Sequence, residues 1–561
     1  MNAFKNICWL ACLIFVSSCA RVSSPTGGPK DTIPPILVRS FPANEQINFD
    51  GQTLELLFSE TVILTNPKEE VIVTPSIGKD YSIVSKNNKV TISIEQKLKD
   101  STTYTVNFRE AVKDITEKNP ARNLKLAFST GSYIDSMQIA GSVLRLLDEK
   151  PMKDVTIGLQ PYTDTFTIFK HPPTYFTKSD DKGNFKIDNL KPGLYILYSI
   201  HDQNKNLIAD SKNEAYAFKK DSILLDHNID NIKLRLIKLD ARPLKFTSAR
   251  PYNTYFNIKA SKSLRNFKIE SPEGLPVVAT LGTDPANVQV YNTFPDRDST
   301  QLRILMSDSV ENLVDTTVYA KFTKRDVTPE KFDYTIETTR LLPDKGTLTL
   351  EIEFTKPLSN INFDSIAFRI DSLNILRFAE DNTVYYPERK ILSITKTLDP
   401  KLYDLPPKTN GEESEKPTPM QPPKPGPKNL LTLGRAAFLS IESDTSRASK
   451  QSINPSATED LGVIYAETKY SAPQVIIQLV DKDGTIIAES IHQKTAKFED
   501  LQPDTYQLRI ILDKNANGRW DAGNYFKKEE PEEIIYWKDE KALKDIKLKA
   551  NYEIGPLLIT N

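Results

Sequence analysis

Apolar residues recur at every second position in short runs along this chain. Leu54, Leu56 and Phe58 form one such run, Val90, Ile92 and Ile94 another, and Tyr104, Val106 and Phe108 a third. Period two buries one face of a segment and wets the other, which is the pattern of antiparallel strands. Turn-rich stretches such as Ser85-Lys86-Asn87-Asn88-Lys89 separate the runs at the spacing of β-sandwiches. The predicted fold class is all-β. A chain of 561 residues accommodates roughly four or five domains of about 100–150 residues each. Hydrophobic residues make up 39% and charged residues 26%, enough for several cores. Lys and Arg number 73 against 74 Asp and Glu, so no net field attracts nucleic acid, which is excluded as an expected partner.

The first residues follow a different logic. Lys5 precedes the apolar run Ile7-Cys8-Trp9-Leu10-Ala11-Cys12-Leu13-Ile14-Phe15-Val16, and Ser17-Ser18-Cys19 follows it. A basic, then apolar, then small-residue order is that of a secretory signal over residues 1–18. The apolar run of about 10 residues is too short for a membrane span, which needs roughly 20. Val16-Ser17-Ser18-Cys19 resembles the lipobox of bacterial lipoproteins. That resemblance implies a mature chain beginning at a lipidated Cys19. The three cysteines are Cys8, Cys12 and Cys19, so after cleavage no pair is left for a disulfide and no further thiol for zinc or catalysis. Residues 19–35, rich in Gly, Pro and Ser, read as a lipidated tether. No acidic cluster follows Cys19, which leans toward the periplasmic face of the membrane without deciding between the two faces.

Residues 36–131 carry Pro34-Pro35-Ile36-Leu37-Val38 at the border, then Phe41-Pro42, Phe58-Ser59-Glu60-Thr61-Val62, Tyr104-Thr105-Val106 and Phe128-Ser129-Thr130. These resemble the bacterial Ig-like domain of surface-layer proteins, and the resemblance implies a spacer or binding module. Residues 135–239 contain Ile139-Ala140-Gly141-Ser142-Val143, Gly183-Asn184-Phe185-Lys186-Ile187 and Leu190-Lys191-Pro192-Gly193-Leu194-Tyr195. They resemble the transthyretin-like sandwich called the carboxypeptidase regulatory domain, without peptidase residues. Residues 240–325 read as a third sandwich with no family signal. Residues 330–460 return to the first pattern, with Phe354-Thr355-Lys356-Pro357-Leu358 echoing Phe58 to Val62. A Pro-rich insertion at 405–428 reads as an exposed loop, with a PxxP ligand as the alternative. Residues 461–561 repeat the second unit, Phe498 and Leu501-Gln502-Pro503-Asp504-Thr505-Tyr506 matching Phe185 and the stretch from Leu190 to Tyr195.

The two transthyretin-like units share one further feature. Asp202, Asn204, Asn206 and Asp210 in one copy stand at the spacing of Asp513, Asn515, Asn517 and Asp521 in the other. Oxygen-bearing residues at positions 1, 3, 5 and 9, with Gly518 at position 6, match the front of an EF-hand-type calcium loop. Position 12 is Asn213 or Asn524 rather than Glu, and Leu207 replaces the glycine in the first copy. Calcium therefore binds weakly unless Glu214, Glu529 or Glu530 reaches in. The alternative is a turn held by Asx hydrogen bonds alone. Calcium is the one cofactor the sequence admits.

No catalytic centre is predicted. His171, His201, His227 and His492 are scattered, and no nucleophile elbow or phosphate-binding glycine loop occurs. Trp520 and Trp537 read as core or interface aromatics, and the acidic run from Lys528 to Glu533 as a solvated face. The expected role is a non-enzymatic, outer-membrane-anchored scaffold or accessory subunit with an envelope protein partner. A glycan-binding adhesin and a hydrolase with dispersed carboxylates are the alternatives.

Overall fold

The computed structural model describes residues 30–210, 213–240, 242–322, 329–371, 373–403, 429–491 and 493–560. Cys19, most of the tether and the Pro-rich insertion lie outside the described residues. The fold is all-β, a series of Ig-like sandwiches whose strands pair mostly antiparallel, with Gly462–Thr468 and Glu553–Ile559 running parallel. Among the described residues the one α-helix is Pro67–Glu70, and no helix is long and apolar enough to cross a membrane. The chain forms two compact units. The first comprises the described residues through Val143, with Pro151–Ile208 and Ser222–Leu234; the second comprises Leu144–Lys150, Ala209–Asp221 and the described residues from Arg235 onward.

In the first unit, strands Leu37–Phe41, Thr53–Phe58, Lys89–Ile94 and Tyr81–Lys86 lie side by side in that order. A second sheet of Ile72–Thr74, Thr103–Asn107 and Lys125–Ser129 closes over them. The pairing Leu54↔Ile92 and Leu56↔Val90 puts the alternating apolar residues on one face, where they meet Tyr104, Val106 and Phe128 in a common core. Full burial of each such side chain contributes about 1.5–3 kcal/mol, which is the main drive for the two sheets to close.

The expectation of a wet second face fails on several strands, among them Thr103–Asn107, Thr156–Pro161 and Gln474–Asp481. Thr103 and Thr105, which alternate with the core residues, are buried too. Residues of the next sandwich cover them. Asp135 N–H donates to Thr103 Oγ1 at 2.9 Å, and Thr105 Oγ1 donates to Asn189 Oδ1 at 3.0 Å. Arg109 Nη2 donates to Asp154 Oδ1 at 2.6 Å, and Lys191 Nζ to the Ser101 carbonyl at 2.7 Å. Lys125 pairs with Asp188 along the same seam. The buried threonines are tolerated because each finds a partner across it.

That next sandwich holds Thr156–Pro161 between Tyr175–Lys178 and Gly193–Ile200, and it pairs Met137–Arg145 with Asn184–Leu190. Gly141 lies where the backbone of a neighbouring strand comes close, and a β-carbon there would overlap the Ile232 carbonyl oxygen.

In the second unit, one sandwich packs Phe246–Tyr252, Tyr255–Ala260, Asn287–Tyr291 and Ala279–Leu281 against Asn266–Glu270, Thr300–Ser307 and Leu313–Ala320. The next opens with Tyr334–Leu342, Thr347–Phe354, Ile391–Thr397 and Thr383–Tyr386. Its strand order repeats that of the first Ig-like sheet, and Leu348, Leu350, Ile352 and Phe354 fill its core. The C-terminal sandwich centres on Gln474–Asp481 and Thr505–Asp513. There the repeat with the second sandwich holds at the level of single bonds. Tyr195 Oη donates to the Lys191 carbonyl at 2.9 Å and Tyr506 Oη to the Gln502 carbonyl at 2.7 Å.

Substituting Gly141 with Ala is expected to lower stability by about 1–3 kcal/mol, the usual cost of overpacking. A urea midpoint matching that of the wild-type chain would contradict the close approach.

Candidate functional site

The two oxygen-rich turns adopt one conformation. In the C-terminal copy, Asp513 Oδ1 accepts the Asn517 N–H at 3.2 Å and Oδ2 the Gly518 N–H at 2.8 Å. Asn515 Oδ1 accepts the same Asn517 N–H at 3.1 Å, and Asn517 Oδ1 accepts the Arg519 N–H at 3.0 Å. In the first copy, Asp202 accepts from Asn206 N–H at 3.2 Å and from Leu207 N–H at 2.8 Å. Asn204 and Asn206 repeat the remaining bonds, at 3.1 Å to Asn206 N–H and 3.0 Å to Ile208 N–H. The sixth position requires a left-handed backbone. Gly518 supplies it at φ 77°, whereas Leu207 is held there at φ 65°, a conformation that costs a residue with a β-carbon about 1–2 kcal/mol. The Asx turns offered by the sequence as the alternative to a metal are thus present in both copies.

The copies differ in what surrounds the turn. In the first, Lys205 Nζ reaches Glu69 at 2.6 Å. Asp210 falls in the second compact unit. In the second copy, the Asn515 and Asn517 amides both donate to Asp521 Oδ2, at 2.6 and 2.7 Å. Of the acids expected to complete the loop, Glu530 is committed elsewhere. Glu530 accepts from Lys219 Nζ at 3.2 Å and from the Lys220 N–H at 3.0 Å, and the Glu529 backbone pairs with Asn524.

Glu532 is the acid that turns in. It is 4% exposed, accepts the Lys514 N–H at 2.7 Å and the Asp521 N–H at 3.0 Å, and so bridges the two ends of the turn. Burial holds its carboxyl above the usual range; the two backbone bonds oppose this, and the Asp513 and Asp521 charges add to it. The reading of residues 528–533 as a solvated face is corrected at this position. A run of acids looks the same in sequence whichever member is inside, and only the Pro531 beside Glu532 hinted at a change of direction.

Trp520 packs beside this turn, its Nε1 donating to the Glu532 carbonyl at 3.1 Å, and Trp537 packs against the sandwich core. Among the described residues no histidine joins a group able to share a metal. His492 lies outside them.

A second acidic group was not singled out from sequence. Asp31, Glu60 and Asp114 bring carboxylate oxygens within 4.8 Å of one another in the first Ig-like sandwich. Asp114 is buried and its oxygens are already committed. Oδ1 accepts the Glu117 and Lys118 N–H groups at 2.9 and 2.7 Å, and Oδ2 accepts Asn119 Nδ2 at 2.7 Å. Burial works against its ionised form, but these hydrogen bonds outweigh it and hold the carboxyl below its ordinary range.

The equivalent turn in the fourth sandwich reverses the charge. Ser59 Oγ accepts the Ile36 N–H at 3.1 Å, and Thr355 Oγ1 accepts the Asp333 N–H at 3.0 Å, which aligns the two turns. Lys356 then stands where Glu60 stands. Its ammonium, on a residue 2% exposed, lies 2.5 Å from Glu442 and 2.7 Å from Asp444. Burial alone would push this ammonium down, but the bonds to Asp444 and Glu442 overcome it and raise it.

Residues 31–130 match the family model of the bacterial Ig-like domain, so the first sandwich carries that domain. No match was found among curated proteins. Solved structures of the S-layer protein rSbsC are 11% identical over 92% of this chain and 68% of that one, with a TM-score of 0.13. BcpA, the major pilin subunit of Bacillus cereus, is 10% identical over 76% of this chain and 98% of its own, TM-score 0.13. SGBP-B of Bacteroides ovatus, solved with a mixed-linkage heptasaccharide, is 11% identical over 64% of this chain and 86% of its own, TM-score 0.15. At such TM-scores these alignments carry no argument about arrangement or role.

Replacing Lys356 with Met strands two carboxylates and is expected to cost about 3–5 kcal/mol near neutral pH. Because the folded ammonium titrates above the unfolded one, the wild-type advantage is complete below about pH 10.4 and declines only as pH rises past it. Equal stability of the two chains at pH 7 would contradict this.

Proposed function

We propose that the chain is a non-enzymatic cell-envelope lipoprotein, a tethered scaffold or accessory subunit of an outer-membrane complex. The observation that carries this reading is the way the C-terminal sandwich is fastened within the second unit. Arg235 Nη2 pairs with Glu533 at 2.7 Å, Lys219 with Glu530 at 3.2 Å, and Lys538 with Glu149 at 2.8 Å. The Phe218 and Tyr525 rings meet edge to face at 5.1 Å. Lys527 reaches Glu311 of the third sandwich at 2.7 Å. Sandwiches pinned by side chains from several directions make a rigid body for holding partners at fixed separations. The lipobox-like Val16-Ser17-Ser18-Cys19 supplies the attachment in this reading, and two or more acyl chains on one cysteine would anchor it stably.

The alternatives are less well supported. A glycan platform needs a row of open rings. Tyr252, Tyr255 and Tyr291 do line one sheet face, but only Tyr252 is open, at 53% exposure, and the other two are buried. A hydrolase needs an accessible pair of carboxyls, and in the group around Glu60 the Asp114 oxygens are taken up by backbone N–H groups.

Envelope fractionation tests the reading. The wild-type chain is expected in the membrane pellet and Cys19→Ser in the soluble fraction, while affinity purification from solubilised envelopes returns a stoichiometric protein partner. Unchanged sedimentation of the variant contradicts the anchor, and recovery of the chain alone contradicts the scaffold.

A further inference from the structure

We propose that the turn from Asp513 to Asp521, completed by Glu532 and Gln474, is a calcium site that fixes the segment by which the C-terminal sandwich grips the third. It names a ligand for the rigid body inferred above and stands on its own geometry, whether or not the chain is lipidated or has a partner.

Three carboxylates gather at one turn. Asp513 is fully buried, Glu532 is nearly so, and Glu532 holds the backbone on both sides of Asp513 and Asp521 through its bonds to Lys514 and Asp521. The nearest compensating charges are poorly placed. Arg265 Nη1 and Arg519 Nε stand 3.6 and 3.9 Å from Asp521 Oδ1, beyond hydrogen-bond reach, and that oxygen is buried without a hydrogen-bond partner. The other Asp521 oxygen accepts hydrogen bonds from the uncharged Asn515 and Asn517 amides.

A separate observation comes from the adjacent strand. Gln474 sits opposite Asp513 in the sheet register and is 5% exposed. Its Nε2 is buried with no hydrogen-bond partner and lies 3.6 Å from where a β-carbon would stand on Gly518, so it points into the turn. An unpaired buried amide is costly. A half-turn of the planar amide exchanges nitrogen for oxygen at that point, whereas Asn515 and Asn517 are held as they stand by the N–H groups that their Oδ1 atoms accept. The result is an all-oxygen set of three carboxylates and the Gln474 amide with no sulfur or imidazole. Such a set suits a hard cation that accepts six to eight oxygens in flexible geometry, which is calcium rather than zinc or magnesium.

The ion would act beyond the turn. Arg265 Nη2 donates to the Trp520 carbonyl at 3.3 Å, and the Asn524 amide donates to the Val310 carbonyl. Both partners belong to the third sandwich, so ordering 513–521 orders that grip. In the first copy Leu207 occupies the glycine position and Lys205 lies within the turn, which makes it a built-in control.

Terbium, a luminescent stand-in for calcium, tests the site because Trp520 adjoins it. The full chain, stripped with chelator, is expected to sensitise terbium emission on tryptophan excitation. Calcium should displace it with a midpoint between about 100 µM and 1 mM, the range of extracellular modules, and raise the melting temperature, while equal magnesium does neither. Asp521→Asn should weaken binding at least tenfold and Asp202→Asn leave it unchanged. If Asp521→Asn does not fold in chelator, Gln474→Leu decides, with at least fivefold weaker binding expected. Absence of calcium-displaceable emission, magnesium acting as well as calcium, wild-type affinity in the deciding variant, or loss of binding in Asp202→Asn overturns the proposal. Any of these would leave the fractionation and partner results untouched.

Discussion

Every sandwich in this chain closes for the same reason. Apolar side chains placed two residues apart line one face of a strand, and two such faces must meet to leave water. In the first Ig-like domain Leu54, Leu56, Val90 and Ile92 do this against Tyr104, Val106 and Phe128, and in the fourth sandwich Leu348, Leu350 and Ile352 do it against Phe368 and Leu431. The matching strand orders of the two sheets follow from repeating one pattern of runs and turns. The buried polar groups described above lie along the seams where sandwiches abut or in the turns at their ends.

The turns show how one backbone is reused with different charge. The Ser59 and Thr355 hydroxyls cap the incoming strand in the same way, yet the next residue is an acid in one repeat and a lysine in the other. Lys356 sits between two carboxylates and compensates them directly. Glu60 faces Asp31 and Asp114, and there the burden falls on backbone N–H donors to Asp114. The second pair of repeats diverges similarly. The turns at Asp202 and Asp513 bond identically, but one spends its left-handed position on a leucine and the other on a glycine. A repeat fixes the path of the chain; it leaves the electrostatic balance of each copy free to drift.

Much of the candidate site was legible beforehand because its logic is short-range. Residues 513, 515, 517 and 518 bond to one another across gaps of two to five positions, so their types and spacing suffice. Glu532 was missed because it is one of four acids between 529 and 533, and Gln474 because it meets Asp513 only through strand pairing. Both contacts span distances at which sequence patterns carry no register. The expectation of one wet face per strand failed at Thr103 and Thr105 for a related reason: an alternation reports that a face is polar, and polar faces can be covered when a neighbour offers hydrogen-bond partners.

The sequence by itself determined the all-β class and the local path of the two oxygen-rich turns, since each follows from side-chain period or from the spacing of a few residues. Only the tertiary structure decided which polar faces are covered, which acid of a charged run points inward, and which sandwich the C-terminal one grips. Those outcomes depend on where residues hundreds of positions apart come to rest, as Arg265 does on Asp521, and burial and charge compensation are properties of that meeting rather than of either residue alone.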